Sequence, residues 1–249
     1  MDHRPEGEDA RRRRAVVTAF ETRFADPESV AYARMHAPRY EILLGAVEEA
    51  IAGPVSLLDV GPSFQTEAMR ELYPGLRVDS LGFADARFPP PRDGERHIDF
   101  DLDDADDPSA WPVTDPYDVV VCAEVVEHLH TSPVHVFRLF ASLLRSGGTL
   151  VLQTPNAAAL SRRFWLLAGR NPYEPIREDK RQAGHFREYT AAELRTFFGA
   201  TGFDVTEMRL ANYFLTGSRK NRLLVRHGGL LPAGLRQGIT VTATKRSPP

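Results

Sequence analysis

From Val55 onward the chain alternates short apolar runs with longer stretches whose apolar residues recur at helical spacing. Val55 to Val60 is a buried-strand run that breaks at Gly61-Pro62, and a helix-compatible segment, Glu67 to Leu72, follows. Leu76 to Phe83 reads as a second strand and His97 to Asp103 as a short third one ending in acids. Tyr117 to Ala123 is the clearest strand, β-branched and continuous. Pro133 to Leu144 is an amphipathic helix with Val136, Phe137, Leu139, Phe140 and Leu143 inward, stopped by Ser146-Gly147-Gly148. Thr149 to Gln153 is a fifth strand. Thr190 caps a helix from Ala191 to Thr201, with Glu193 completing a capping box. A sixth strand opens at Phe203, and Gly238 to Lys245 alternates β-branched residues as a closing strand. Strands alternating with helices predict a mostly parallel sheet covered on both faces.

Upstream, Ala10 to Phe24 has Val16, Val17, Phe20 and Phe24 at helical spacing. Asp26-Pro27-Glu28 breaks it, with Asp26 or Ser29 available as the next cap. Val30 to Ala52 forms a longer helical region, bent at Pro38 and ended by Gly53-Pro54. The chain therefore divides into a helical cap, residues 1–54, whose first ten or so residues read as disordered, and an α/β domain, residues 55–249. Within that domain, 157–189 and 211–237 are insertions, the first long for a strand-to-helix connection. The N-terminal helices can cover a site at the sheet edge, where Tyr32, His36, Arg39 and Tyr40 either face a ligand or, as an aromatic stripe more often does, pack in the core.

Apolar residues make up 42 % of the 249 positions, enough for a sizeable core. Net charge is −3, so no global basic field argues for nucleic acid. Arg11-Arg12-Arg13-Arg14 reads as a solvated helix face beside Glu6, Glu8 and Asp9. Cys122 is the single cysteine, which excludes an internal disulfide and a cysteine zinc site; it reads as a packing residue. No run of roughly 18 apolar residues predicts a membrane span, and a cytoplasmic protein is the expectation.

A buried strand that turns sharply into a helix is where α/β proteins hold ligands. Here Leu57-Leu58-Asp59-Val60-Gly61 resembles the cofactor-binding first motif of class I S-adenosylmethionine-dependent methyltransferases. The resemblance recurs at Glu124-Val125-Val126-Glu127-His128-Leu129 after the fourth strand, and at Leu143-Leu144-Arg145-Ser146-Gly147-Gly148 before the fifth. It implies a Rossmann-like, seven-stranded α/β sandwich with an antiparallel last strand and S-adenosyl-L-methionine as cofactor. Two departures stand out. Ser63, preceded by Pro62, occupies the place of the family's second glycine. No acid lies at Gly82 or Phe83, where the family holds the ribose hydroxyls; Asp85 is the nearest substitute, and Asp79 sits inside the strand.

On the matching positions the resemblance assigns cofactor contacts to Asp59, Gly61, Ser63, Phe83, Asp101, Leu102, Ala123, Glu124 and His128. Phe83 would stack on adenine and Asp101 would accept from its amino group. A His185-x-Arg187-x-Tyr189 phrase before the capped helix is similar to one in small-molecule methyltransferases. It points to acceptor contacts at Arg187 and Tyr189; Asn156, ending the fifth strand at the same sheet edge, and Tyr32, on the N-terminal helices, are the other acceptor candidates. His185 and Glu124 are the catalytic candidates. His185, unperturbed, titrates at about pH 6.5 and can accept a hydroxyl proton; ordering the loop is the other role open to it. Glu124, Glu127 and His128 fall within one helical turn. They are read as structural, as cofactor-loop groups, or as a hard-cation site short of oxygen ligands; no metal is assigned, and His130 and His135 do not add to it.

The function expected is methyl transfer to an oxygen of a small molecule, with no nucleic-acid partner. The rival is a non-catalytic binding or scaffold subunit on the same fold, which Ser63 and the missing ribose acid favour. RNA methylation rests on the Arg clusters alone, including Arg219, Lys220, Arg222 and Arg226. A nicotinamide oxidoreductase is disfavoured because no Gly-x-Gly-x-x-Gly occurs.

Overall fold

The structure is a computed structural model that describes residues 6–23, 27–51, 55–83, 90–175, 184–213 and 231–247. Asp26, Asp85, the Phe88-Pro89 turn and the basic residues at 219–226 lie outside them. Two N-terminal helices, α1 (Glu6–Arg23) and α2 (Pro27–Ala50), precede β1 (Ser56–Val60), α3 (Phe64–Leu72), β2 (Arg77–Gly82) and β3 (His97–Asp99). Then come β4 (Tyr117–Ala123), α4 (Pro133–Leu143), β5 (Leu144–Pro155), α5 (Leu160–Leu167), α6 (Ala191–Ala200), β6 (Phe203–Ala211) and β7 (Gly238–Lys245).

The seven strands form one sheet in the order β3-β2-β1-β4-β5-β7-β6. The first five are parallel, and β7 inserts antiparallel between β5 and β6. This is the Rossmann-like α/β sandwich expected from the sequence. Its central strands are apolar on both faces because both faces are covered. Leu57, Val119, Val121 and Val151 pack with Tyr40, Leu43, Leu44 and Met69 on one side. The residues between them, Leu58, Val120, Cys122, Leu150 and Leu152, pack with Phe137, Phe140, Leu194 and Phe198 on the other. Successive side chains point to opposite faces, so an unbroken Val-Val-Val-Cys run feeds two cores at once.

Several boundaries differ from the sequence expectation. Helix α1 starts at Glu6, not near Ala10. Helices α1 and α2 share the core of α3 and the sheet, so residues before Val55 form part of a helix layer and not only a lid. Arg12 is buried and ion-paired to Glu48, whereas Arg11 and Arg14 are exposed as a solvated face requires. The third strand ends at Asp99, and Leu102–Asp106 is a 3-10 turn capped by Asp101. Residues 126–128 are likewise a 3-10 turn, separate from α4. The first insertion contains α5, an exposed helix that periodicity did not reveal.

Phe137 is fully buried and stacks on Phe198 at 4.7 Å between ring centroids. Phe137→Ala is expected to lower unfolding free energy by about 3–5 kcal/mol, measured by urea denaturation.

Candidate active site

The carboxyl ends of β3, β2, β1 and β4 lie side by side, and the residues that terminate them make one rim. Gly61 ends β1 with φ of 72°, and its amide donates to the Leu81 carbonyl at 2.9 Å. A Cβ there would sit 2.6 Å from a Val125 methyl, so the turn tolerates only glycine. Gly82, ending β2 with φ of 131°, packs against the Gly61 backbone. Sequence reading singled out Gly61 and missed Gly82, whose signal is a glycine closing an apolar strand.

Pro62 offers no amide, and Ser63 is turned inward to brace the loop. Its amide donates to Thr66 Oγ1 at 3.0 Å, and its hydroxyl bonds the Gln65 side chain, which reaches back to the Gly61 carbonyl at 3.3 Å. Ser63 therefore replaces a glycine by holding the turn, and its hydroxyl is not directed at a ligand. Asp59 is fully buried behind the loop, where Oδ2 accepts from Thr66 Oγ1 at 2.6 Å and Oδ1 has no hydrogen-bond partner among the described residues. Burial pushes its carboxyl up to about 7, against hydrogen bonds from Thr66 and Gln65 and the charge of Arg70.

Phe83 is 66 % exposed just beyond β2, as a stacking platform must be. Asp79 is a structural acid: its carboxylate accepts from the Tyr117 hydroxyl at 2.8 Å and from Arg96 at 3.1 Å. Asp101 spends one oxygen on the Asp103 amide at 3.0 Å, and Leu102 is buried beneath it.

At the end of β4, Ala123 is buried, and Glu124 adopts φ of 56°, the single non-glycine with positive φ among the described residues. A left-handed glutamate costs roughly 1–2 kcal/mol. It is held by its amide donating to the Gln153 carbonyl at 2.7 Å and by Arg39 Nη1 at 3.6 Å from Oε2. Arg39 comes from α2, whose Tyr32 also lies 6.2 Å from Phe64 at the start of α3. The N-terminal helices thus do reach the rim, although Tyr40 belongs to the core. Burial pushes Glu124 above its usual range, with Arg39 pulling the other way.

Beside this rim the first insertion folds back. The Glu127 carbonyl accepts from the amides of Phe186 and Arg187 at 2.7 and 3.1 Å. That brings the His128 and His185 rings to 4.9 Å, edge to face. His128 Nδ1 bonds the Gly184 carbonyl at 2.8 Å, and His185 Nδ1 bonds Glu188 Oε1 at 2.9 Å. Glu127 is fully buried; Oε2 accepts from Thr154 Oγ1 at 2.9 Å, while Oε1 has no hydrogen-bond partner among the described residues. Burial, then the charge of Glu124, raises its carboxyl well above the ordinary range. His185, Arg187, Glu188 and Tyr173 line a cavity of about 350 Å³. Glu188, Arg162 and Tyr173 were missed from sequence; the His185-x-x-Glu188 spacing was their one local signal.

Two expected acceptor residues are placed otherwise. Asn156 is buried, with its amide nitrogen on the carbonyls of Gly234 and Arg236 at 3.2 and 2.7 Å and its oxygen on the Ala158 amide at 2.9 Å. It ties the end of β5 to the chain leading into β7. Tyr189 is 2 % exposed and part of the core under α6. The small polar residue after β5 and the aromatic before α6 answer packing demands that no sequence pattern separates from ligand contact. Arg187 does face the cavity, ion-paired to Glu193 at 2.7 Å.

A family model described as a methyltransferase domain matches residues 10–208. The chain belongs to that family, within the class I S-adenosylmethionine-dependent superfamily, whose cofactor is S-adenosylmethionine. Among solved structures, an S-adenosylmethionine-dependent methyltransferase from Mesorhizobium loti is similar at 15 % identity, covering 84 % of this chain and 98 % of that one, with a TM-score of 0.56. A Burkholderia thailandensis 1,6-didemethyltoxoflavin-N1-methyltransferase, with 1,6-didemethyltoxoflavin and S-adenosylhomocysteine bound, is also similar. It has 15 % identity, 99 % and 93 % coverage and a TM-score of 0.56. The [4+2]-cyclase SpnF shares the fold at 15 % identity, 85 % and 82 % coverage and a TM-score of 0.55. No curated protein matches the chain.

Two outcomes follow from the buried charges. Arg39→Met leaves the half-buried Glu124 without its cation and is expected to destabilise the fold by about 1–3 kcal/mol in urea unfolding, with Glu124→Gln restoring part of the loss in the double variant. Asp59 carries a folded-state value near 7 against 3.8 unfolded, so the folded chain holds the extra proton in between. Stability is full below the lower value and declines as pH rises toward the upper one. Between pH 5 and pH 8 the wild type should lose about 2–3 kcal/mol relative to Asp59→Asn.

Proposed function

We propose that the protein transfers a methyl group from S-adenosylmethionine to an oxygen of a small-molecule acceptor. The observation that carries this reading is the adjacency of two features. One is the glycine-closed rim bearing Phe83, Asp101 and Glu124; the other is the cavity that His185 and Arg187 line. The rim fits the cofactor: Gly61 has no room for a side chain, Phe83 presents an open face, and Asp101 keeps one carboxylate oxygen for an amino group. Asp59 and Ser63 hold the loop's shape, and Ala123, Glu124, Leu102 and His128 complete the wall. When bound, the cofactor supplies an already activated methyl.

What remains for the chain is to orient the acceptor and remove one proton. Glu188 fixes His185 with Nδ1 as donor, so Nε2 is the nitrogen that accepts a hydroxyl proton. Glu188 is itself held by Arg162. Arg187 and Tyr173 line the space for the acceptor, and Tyr32, beside Phe64 at the start of α3, is the candidate contact from the N-terminal helices. The small-molecule ligand of the Burkholderia thailandensis structure supports an acceptor of that size class. A second reading, a member of the fold that binds without methylating, draws on the Pro62-Ser63 loop and on the cyclase that shares the architecture.

Calorimetric titration with S-adenosylmethionine and S-adenosylhomocysteine separates these readings. Micromolar binding to the wild type is expected, weakened roughly tenfold to a hundredfold by Asp101→Ala and abolished by Gly61→Ala. Absence of heat and of thermal stabilisation at millimolar ligand would favour the non-methylating reading.

A further inference from the structure

The chain carries a cluster whose convergence the proposed methyl transfer does not by itself explain. Glu127, His128 and His185 each bring one potential ligand atom within 4.8 Å of the other two. Glu127 Oε1 is buried, lacks a hydrogen-bond partner among the described residues, and lies 4.0 Å from His128 Nε2. Both imidazoles are oriented from behind. The Gly184 carbonyl can only accept, so it fixes His128 Nδ1 as the donor and puts the lone pair on Nε2. The Glu188 carboxylate does the same for His185. A carboxylate or carbonyl behind each histidine is the arrangement that sets tautomer and direction in metal ligation.

We propose that Glu127, His128 and His185 form a binding site for a divalent first-row transition-metal ion, with Glu188 as the positioning residue. Two imidazoles and one carboxylate suit zinc, iron or manganese ions better than calcium or magnesium, which prefer oxygen. Bonds of about 2.0–2.1 Å hold tetrahedral ligands roughly 3.3 Å apart, so binding draws the three atoms inward. The backbone is already set for this, because the Phe186 and Arg187 amides clamp the Glu127 carbonyl. Three protein ligands leave coordination positions open, and His185 faces the 350 Å³ cavity, where an oxygen of an acceptor can complete the shell. With an ion bound, His185 would be a ligand instead of a base, and the ion would lower the pKa of an acceptor hydroxyl enough for its proton to pass to solvent water. The site stands on its own geometry and does not depend on methyl transfer.

The test is titration of the chelator-treated full-length chain with Co²⁺, read by visible d–d absorption, and competition by Zn²⁺. One equivalent is expected to bind with bands that Zn²⁺ removes. His128→Ala and His185→Ala should lose the bands, Glu188→Gln should weaken binding roughly tenfold to a hundredfold, and His135→Ala on α4 should behave as wild type. His185→Gln replaces the alanine variant if circular dichroism shows that one unfolded. No bands in the wild type, or bands unchanged in both histidine variants, would overturn the site. Cofactor titration of the same samples keeps the two questions apart, since S-adenosylmethionine binding without Co²⁺ binding overturns the metal site alone.

Discussion

Two fully buried carboxylates and a third that is half-buried, along one edge of the sheet, set the terms for everything around them. Asp59, Glu124 and Glu127 sit at or behind the carboxyl ends of β1 and β4, where desolvation works against their charge. Each is met differently. Asp59 takes a hydroxyl from α3, Glu124 takes a guanidinium from α2, and Glu127 takes a hydroxyl from β5. A buried acid without such a partner would cost several kcal/mol. The N-terminal helices are therefore bound to the site by charge as well as by packing.

The edge is also where backbone freedom is concentrated. Gly61 and Gly82 close neighbouring strands at positive φ, and Glu124 holds a conformation unusual for its type. Strain of this kind persists only when surroundings over-determine it. Here the Gln153 carbonyl and Arg39 do so from two different elements. Pro62 and Ser63, which depart from the family's glycine pattern, preserve the turn through side-chain bonds and leave fewer amides for a ligand.

The first insertion gives the site its individuality. Its return through Gly184 to Glu188 crosses the 3-10 turn at Glu127 and seats two histidines against one acid. The same architecture hosts a cyclase, so the fold alone does not fix the reaction.

The succession of strands and helices, the two-faced core and the turn at Gly61 were legible in the sequence because they follow from local rules. A period of two under helices of period 3.6 places Leu57 and Leu58 on opposite faces, and glycine after an apolar run marks the turn. The sequence by itself determined the α/β class, the inward face of α4 and the loop at Gly61. Tertiary structure decided that Asn156 and Tyr189 serve packing, that Arg39 neutralises Glu124, and that Glu127, His128 and His185 converge. Those outcomes depend on contacts between residues far apart in the chain, and nothing in local composition encodes which polar groups will meet once water is removed.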